Sequence, residues 1–294
     1  MDSKSKPDAQ MPPAPKAPEQ RAPEGACDAH VHLLAGAREF PLWDGRAENP
    51  AAGPDLDGWL TLYRDHLDAL GCTRGLIVHS ILYGTDNSVT VEAVRRMGHG
   101  FVGVGLLPDG ASDTALDQFR NWNMVAVRLN YVHGGVLTWD GAKVMAPALA
   151  ERGMHIQMLA HADQHIADLA DDIRALPVDV VFDHIGWPAE DRTPGSDGFK
   201  TLLALLAEGR VWVKLSGLYR ICRAPYTQTD PLVAALIAAN PERCLWGSDW
   251  PHIMLADAVM PQAADLLNAL DRVVPDAATR HRILVENPAR LFGF

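Results

Sequence analysis

The sequence predicts a (β/α)8 barrel of the α/β class over residues 26–294. Three observations carry that prediction. Short, nearly continuous apolar runs alternate with amphipathic stretches, as strands covered on both faces alternate with helices. The runs number eight. The first of them, ending at Leu33, is not followed by the Gly-rich phosphate loop that a doubly wound sheet would carry.

Taken in order, Cys27–Leu33 supplies the first strand. Leu60, Tyr63, Leu67 and Leu70 then fall on one face of a helix that Gly71 terminates. Gly75–Ser80 and Phe101–Leu107 are the next strands, with a helix at Asn87–Met97 between them. Thr114–Trp122 precedes the strand Met124–Asn130, and Lys143–Arg152 precedes His155–Ala160. Ile166–Leu176, Gly198–Glu208 and Pro231–Ala239 are helical patterns that separate the strands Val178–His184, Val211–Ser216 and Cys244–Asp249. Ala263–Val273 and Ala277–Phe292 close the chain as helices. Residues Met1–Gly25, rich in Pro and Ala and without apolar periodicity, are expected to form a disordered arm.

Composition narrows the function. Acidic residues outnumber basic ones, 37 to 26, for a formal charge of -11. That balance argues against nucleic acid or an anionic membrane as partner, while leaving room for a local basic pocket. No apolar run approaches the length of a membrane span. The arm lacks the apolar region of a secretory signal. Cys27, Cys72, Cys222 and Cys244 are far apart with no CxxC, so reduced thiols in a cytoplasmic protein are expected.

Active-site groups of such barrels come from the C-terminal ends of strands. Here the first strand ends in Asp28-Ala29-His30-Val31-His32 and the fourth in Arg128-Leu129-Asn130. The sixth ends in Asp183-His184 and the eighth in Gly247-Ser248-Asp249. Residues i and i+2 of a strand share a face, so His30 and His32 are expected in one lumen. Imidazoles gathered around a carboxylate can bind a metal or activate water directly.

The motifs DAHVH, DHIGWP, VKLSGL and WGSDWPH occur in this order, and with them the chain resembles the amidohydrolase superfamily. GACDAHVHL, FPL, YGTDN, VRLN and ENPARLF are similar to its lactonase branch. The resemblance spans about Ala26 to Phe294 and implies a distorted TIM barrel that opens small carboxylated lactones, derived from sugar acids or aromatic compounds. It implies Asp249 as the base that activates water, with His30, His32 and His184 around the oxyanion. Arg128 would clamp a substrate carboxylate. Asn130 and Arg220 join it as expected substrate contacts, as do Tyr83 and Asn87, although Asn87 could equally cap the helix that follows it.

Departures from the branch bear on substrate and metal. A second arginine after VRxN is replaced near Gly134, and strand five, HIQMLA, has no tyrosine, so the pyrone dicarboxylate itself is disfavoured. Many amidohydrolases bind a divalent metal. No lysine on strand four is available to bridge two, which leaves a single zinc on His30, His32 and Asp249 as the alternative to the expected metal-free site. A lactone isomerase and a zinc-dependent decarboxylase or amide hydrolase are the rival activities on the same scaffold.

Overall fold

The computed structural model describes residues 6–294. Eight parallel strands follow one another in sequence order around the sheet. They are β1 (Cys27–Val31), β2 (Arg74–Val78), β3 (Phe101–Gly105), β4 (Met124–Asn130), β5 (His155–Leu159), β6 (Val180–Phe182), β7 (Val211–Leu215) and β8 (Cys244–Trp246). Beyond the last strand, Asp249 N donates to His30 O at 2.9 Å and His32 N to Trp250 O at 2.8 Å, closing the circle. The expected (β/α)8 barrel is therefore the fold. Its irregularity is concentrated where β6 and β8 stop after three residues each.

Helices α1 (Leu56–Leu70), α2 (Ser88–Met97), α3 (Asp113–Asn121), α4 (Trp139–Glu151), α5 (Ala162–Ala175), α6 (Asp197–Ala207) and α7 (Asp230–Ala239) fill the crossovers. After β8 come α8 (Ala263–Val273), α9 (Ala277–His281) and α10 (Asn287–Phe292), the last two joined by a π-helical turn at Arg282–Glu286. The first helix shows how local sequence sets these bounds. Asp55 accepts from Gly58 N at its start, and Gly71 takes the left-handed conformation that ends it. Leu60, Tyr63, Leu67 and Leu70 are buried, with Leu56 and Trp59 extending the same face. Each fully buried large apolar side chain contributes roughly 1.5–3 kcal/mol.

The core has two parts. A large cluster fills the space between sheet and helices. A smaller one lies inside the barrel: Cys27, Leu76, Val181, Trp212 and Leu245 pack together with Phe292 of α10. Among the described residues, no helix is long and apolar enough to cross a membrane.

The arm departs from expectation over its described part. Residues 6–25 are tied to the barrel at several points, with most of their residues exposed on its surface. Ala22 N donates to Leu70 O at 2.8 Å, Ala9 N to Asn49 O at 2.9 Å, and Arg280 holds Gln20 O and Arg21 O. An extended peptide can dock through main-chain hydrogen bonds without an amphipathic face of its own, so the absence of periodicity does not imply disorder. The disorder expected of residues 1–5 lies outside the described residues.

Candidate active site

At the C-terminal end of the barrel a cavity of about 920 Å³ opens to solvent. Asp249, His32, His184, Arg128 and Asn130 line it, as expected, and so do Tyr219 and Arg220. His30 is fully buried beneath them.

Sequence places these groups by breaking the regular strand. A bulge between Asp28 and Val31 interrupts the pairing of β1 with β2. By strict alternation Asp28 would share a face with His30. Instead its carboxylate accepts from Ser248 N at 2.8 Å and meets His66 of α1 at 3.2 Å. His30 and His32 still converge, with ring centroids 5.1 Å apart. Asp183 and His184 were expected inside the sixth strand, and Gly247 to Asp249 inside the eighth. All lie past the ends of β6 and β8. His184 and Asp249 have φ of 53° and 61°, a left-handed conformation that costs side-chain-bearing residues energy and clusters at functional sites. Two glycines make room for them. A Cβ on Gly247 would come within 2.7 Å of His30, and one on Gly217 within 2.6 Å of the His184 ring.

The two oxygens of Asp249 have different tasks. Oδ2 accepts from Tyr219 Oη at 2.7 Å and from Arg220 Nε at 2.9 Å, and His184 Nε2 is 3.8 Å away. Oδ1 has no hydrogen-bond partner, and lies 3.6 Å from both His30 Nε2 and His32 Nε2. Burial alone would raise the pKa of Asp249. The Arg220 guanidinium overrides it and holds the carboxyl well below the usual range. Burial lowers His30 well below the ordinary imidazole value and takes His184 down to about 4, so both rings are neutral at neutral pH. His32 Nδ1 faces Val78 O at 2.8 Å; a carbonyl only accepts, so Nδ1 donates there and Nε2 is the nitrogen turned towards Asp249. His184 Nδ1 pairs with Ser216 Oγ at 3.0 Å.

Arg128 donates to His79 O and keeps a buried Nε without a partner. Asn130 accepts from His133 N through Oδ1, leaving its amide N–H groups for the cavity. Three expected substrate contacts have partners within the protein. Arg220 reaches the cavity, and its donors go to Asp249 Oδ2, Met254 O and Ile253 O, which fastens the carboxylate. Tyr83 is not a cavity residue: its hydroxyl is engaged by Ala35 N and Ala35 O, each at 2.7 Å. Asn87 holds Leu106 N and Leu106 O at 2.7 and 2.8 Å, and its side chain makes no cap to α2. Both pin loops, because a polar side chain beside a buried turn is captured by main-chain groups first.

The sequence reading gave no role to Lys214, Gln157 or Tyr219. Lys214 is fully buried and donates to Gln157 Oε1 at 2.6 Å. Burial lowers it to about 8, so the ammonium persists at neutral pH beside Asp183. Its signal was in the sequence, since Lys214 is the one charge inside the run Val211–Ser216.

The donors fit a single divalent cation: His30, His32 and Asp249 bring ligand atoms within 4.8 Å of one another, and two of those atoms are buried without partners. Against that, the Lys214 ammonium and Arg220 guanidinium already supply positive charge to the same groups.

A barrel that brings a carboxylate, neutral imidazoles and an arginine to one cavity has the makings of an enzyme's active site. This chain belongs to the amidohydrolase family, whose model matches residues 27–294. It is similar to the 4-sulfomuconolactone hydrolase of Rhizobium radiobacter, 36% identical over 277 residues that cover 92% of this chain and 91% of the relative. It is 31% identical to a 2-pyrone-4,6-dicarboxylate hydrolase of Comamonas testosteroni, over 95% of this chain and 93% of that one. A crystal structure of an Agrobacterium tumefaciens protein superposes with a TM-score of 0.80 at 26% identity, covering 95% of this chain and 99% of that chain.

Proposed function

We propose that the enzyme hydrolyses a small carboxylated lactone. The observation that carries this reading is the free Oδ1 of Asp249, ionised and aimed between His30 and His32 at the floor of an open cavity. The relatives named as hydrolases of 4-sulfomuconolactone and 2-pyrone-4,6-dicarboxylate support the substrate class.

Water bound beside Asp249 Oδ1 donates to it, since an ionised carboxylate oxygen is an acceptor. As its oxygen attacks the lactone carbonyl carbon, one proton passes to Oδ1. Negative charge develops on the carbonyl oxygen, and donors aimed there supply the largest share of catalysis. Collapse breaks the ring C–O bond, and the leaving oxygen takes the proton back from Asp249. Water is thereby added across one bond, giving an acyclic acid. Arg128 holds the substrate carboxylate, for which a guanidinium is suited, and Asn130 orients it.

His30, His32 and Asp249 are the residues that would hold a divalent ion, which when bound would polarise the carbonyl and acidify water. In the metal-free mechanism proposed here protein groups do the cationic work, which suffices because a lactone is a more reactive acyl compound than an amide.

The test is a panel of carboxylated lactones from sugar acids and aromatic catabolism, run in isotopically labelled water with and without zinc and chelator. Label in the product carboxylate is expected, with turnover insensitive to chelator. Ring rearrangement without label would make the enzyme an isomerase, and turnover only with zinc would overturn the metal-free reading. With the substrate found, Arg128→Met should raise KM about a hundredfold with a smaller change in kcat.

A further inference from the structure

Lys214 lies behind the hydrolytic groups, and its position has a consequence for His30. A neutral imidazole carries one ring proton, and the partner of one nitrogen decides which nitrogen holds it. Two groups compete at Nδ1. Asp183 Oδ1, 3.2 Å away, would draw the proton onto Nδ1, but this oxygen makes no hydrogen bond. Lys214 Nζ, also at 3.2 Å, makes one. An ammonium has no lone pair, so in that bond the lysine donates and Nδ1 accepts. Its other contacts are Gln157 Oε1 at 2.6 Å and Asp183 Oδ1 at 3.3 Å, both acceptors.

We infer that Lys214 is a positioning residue: by donating to Nδ1 it fixes His30 in the Nε2–H tautomer and makes that ring a hydrogen-bond donor beneath the cavity. The HxH pair is thereby split. His32 spends its Nδ1–H on Val78 O, while His30 keeps its proton on Nε2, and Asp249 Oδ1 is 3.6 Å from the Nε2 of each. On this inference Asp249 Oδ1 takes the proton of the water and the His30 N–H is left for the oxyanion. The effect on rate rests on the lactone-hydrolase reading, whereas the tautomer does not depend on it.

NMR of the full chain carrying isotope-labelled histidine tests the assignment at neutral pH, with the His30 signals identified by their loss in His30→Gln. The proton is expected on Nε2, and Lys214→Met should move it to Nδ1, where Asp183 accepts it. That variant should lose about a hundredfold in kcat, the scale of one oxyanion donor, with KM within about threefold. A wild-type ring protonated on Nδ1, whether bonded to Asp183 or ligating zinc through Nε2, overturns the inference. So does a folded Lys214→Met with the tautomer unchanged. The wild-type spectrum needs no variant, so a Lys214→Met that fails to fold leaves the test standing. A lactone panel that finds no substrate leaves the spectrum unaffected.

Discussion

Trp212 and Lys214 are two residues apart on β7 and share its inner face, but they occupy different surroundings. Trp212 packs in the inner apolar cluster with Leu76, Val181, Leu245 and Phe292. Lys214 meets Gln157, Asp183 and His30. One residue pair along the strand thus separates a packed floor from a charged working end. Below, the gain is burial. Above, His30 Nε2, Arg128 Nε, Asp183 Oδ1 and Asp249 Oδ1 are buried without partners, against one such atom at the floor, His155 Nε2 beside Phe292. Unpaired groups of that kind are costly and persist where a ligand or a reaction uses them. Stability and chemistry are segregated along a single lumen.

Substitutions at the two ends should therefore separate the two properties. Asp249→Asn should have the largest effect, lowering turnover about a thousandfold or more while circular dichroism and thermal unfolding change little. Phe292→Ala at the floor should do the reverse. It should lose about 3–5 kcal/mol in denaturant unfolding, with kcat of the folded fraction near wild type. A smaller effect appears in pH–rate profiles. In the wild type kcat/KM should stay level in mild acid and fall as pH drops through about 4, where His184 takes up a proton. Asp249 keeps its charge to lower pH, because Arg220 outweighs its burial. Arg220→Met removes that cation, so the Asp249 pKa rises and the acid limb moves to higher pH. If the limb stayed in place, Asp249 would not be the group that must be ionised. The smallest change is expected from Tyr83→Phe, about 1 kcal/mol of stability for the lost loop bonds and no change in KM. A large rise in KM would restore Tyr83 as a ligand contact.

The alternation of strands and helices was legible because it follows from apolar periodicity, and the helix faces followed from spacing, as Leu60, Tyr63, Leu67 and Leu70 show. The gathering of His30, His32, His184 and Asp249 followed from their places at strand ends. The bulge in β1 and the left-handed backbone at His184 and Asp249 were not legible, because they depend on what packs against them. Side-chain partners were the least legible. Arg220 and Arg128 are alike as sequence, but one is taken up by Asp249 and two carbonyls while the other keeps a buried donor free. Tyr83 and Asn87 looked like ligand contacts because loops carry function, but nearby main-chain groups bind them. The ordering of residues 6–25 needed knowledge of the surface that receives them.

The bonds that join the first and last strands run through the backbone of His30, His32 and Asp249 themselves. Asp28 and Ser248, which fasten the same seam, are 220 residues apart in the chain. If Asp249 is the base proposed above, no partly assembled barrel can be active, since a species lacking the final strand has neither Asp249 in place nor the rung that aligns it. Recovery of turnover during refolding would then time the moment of closure and remain blank through every earlier stage, even after most of the helix signal had returned.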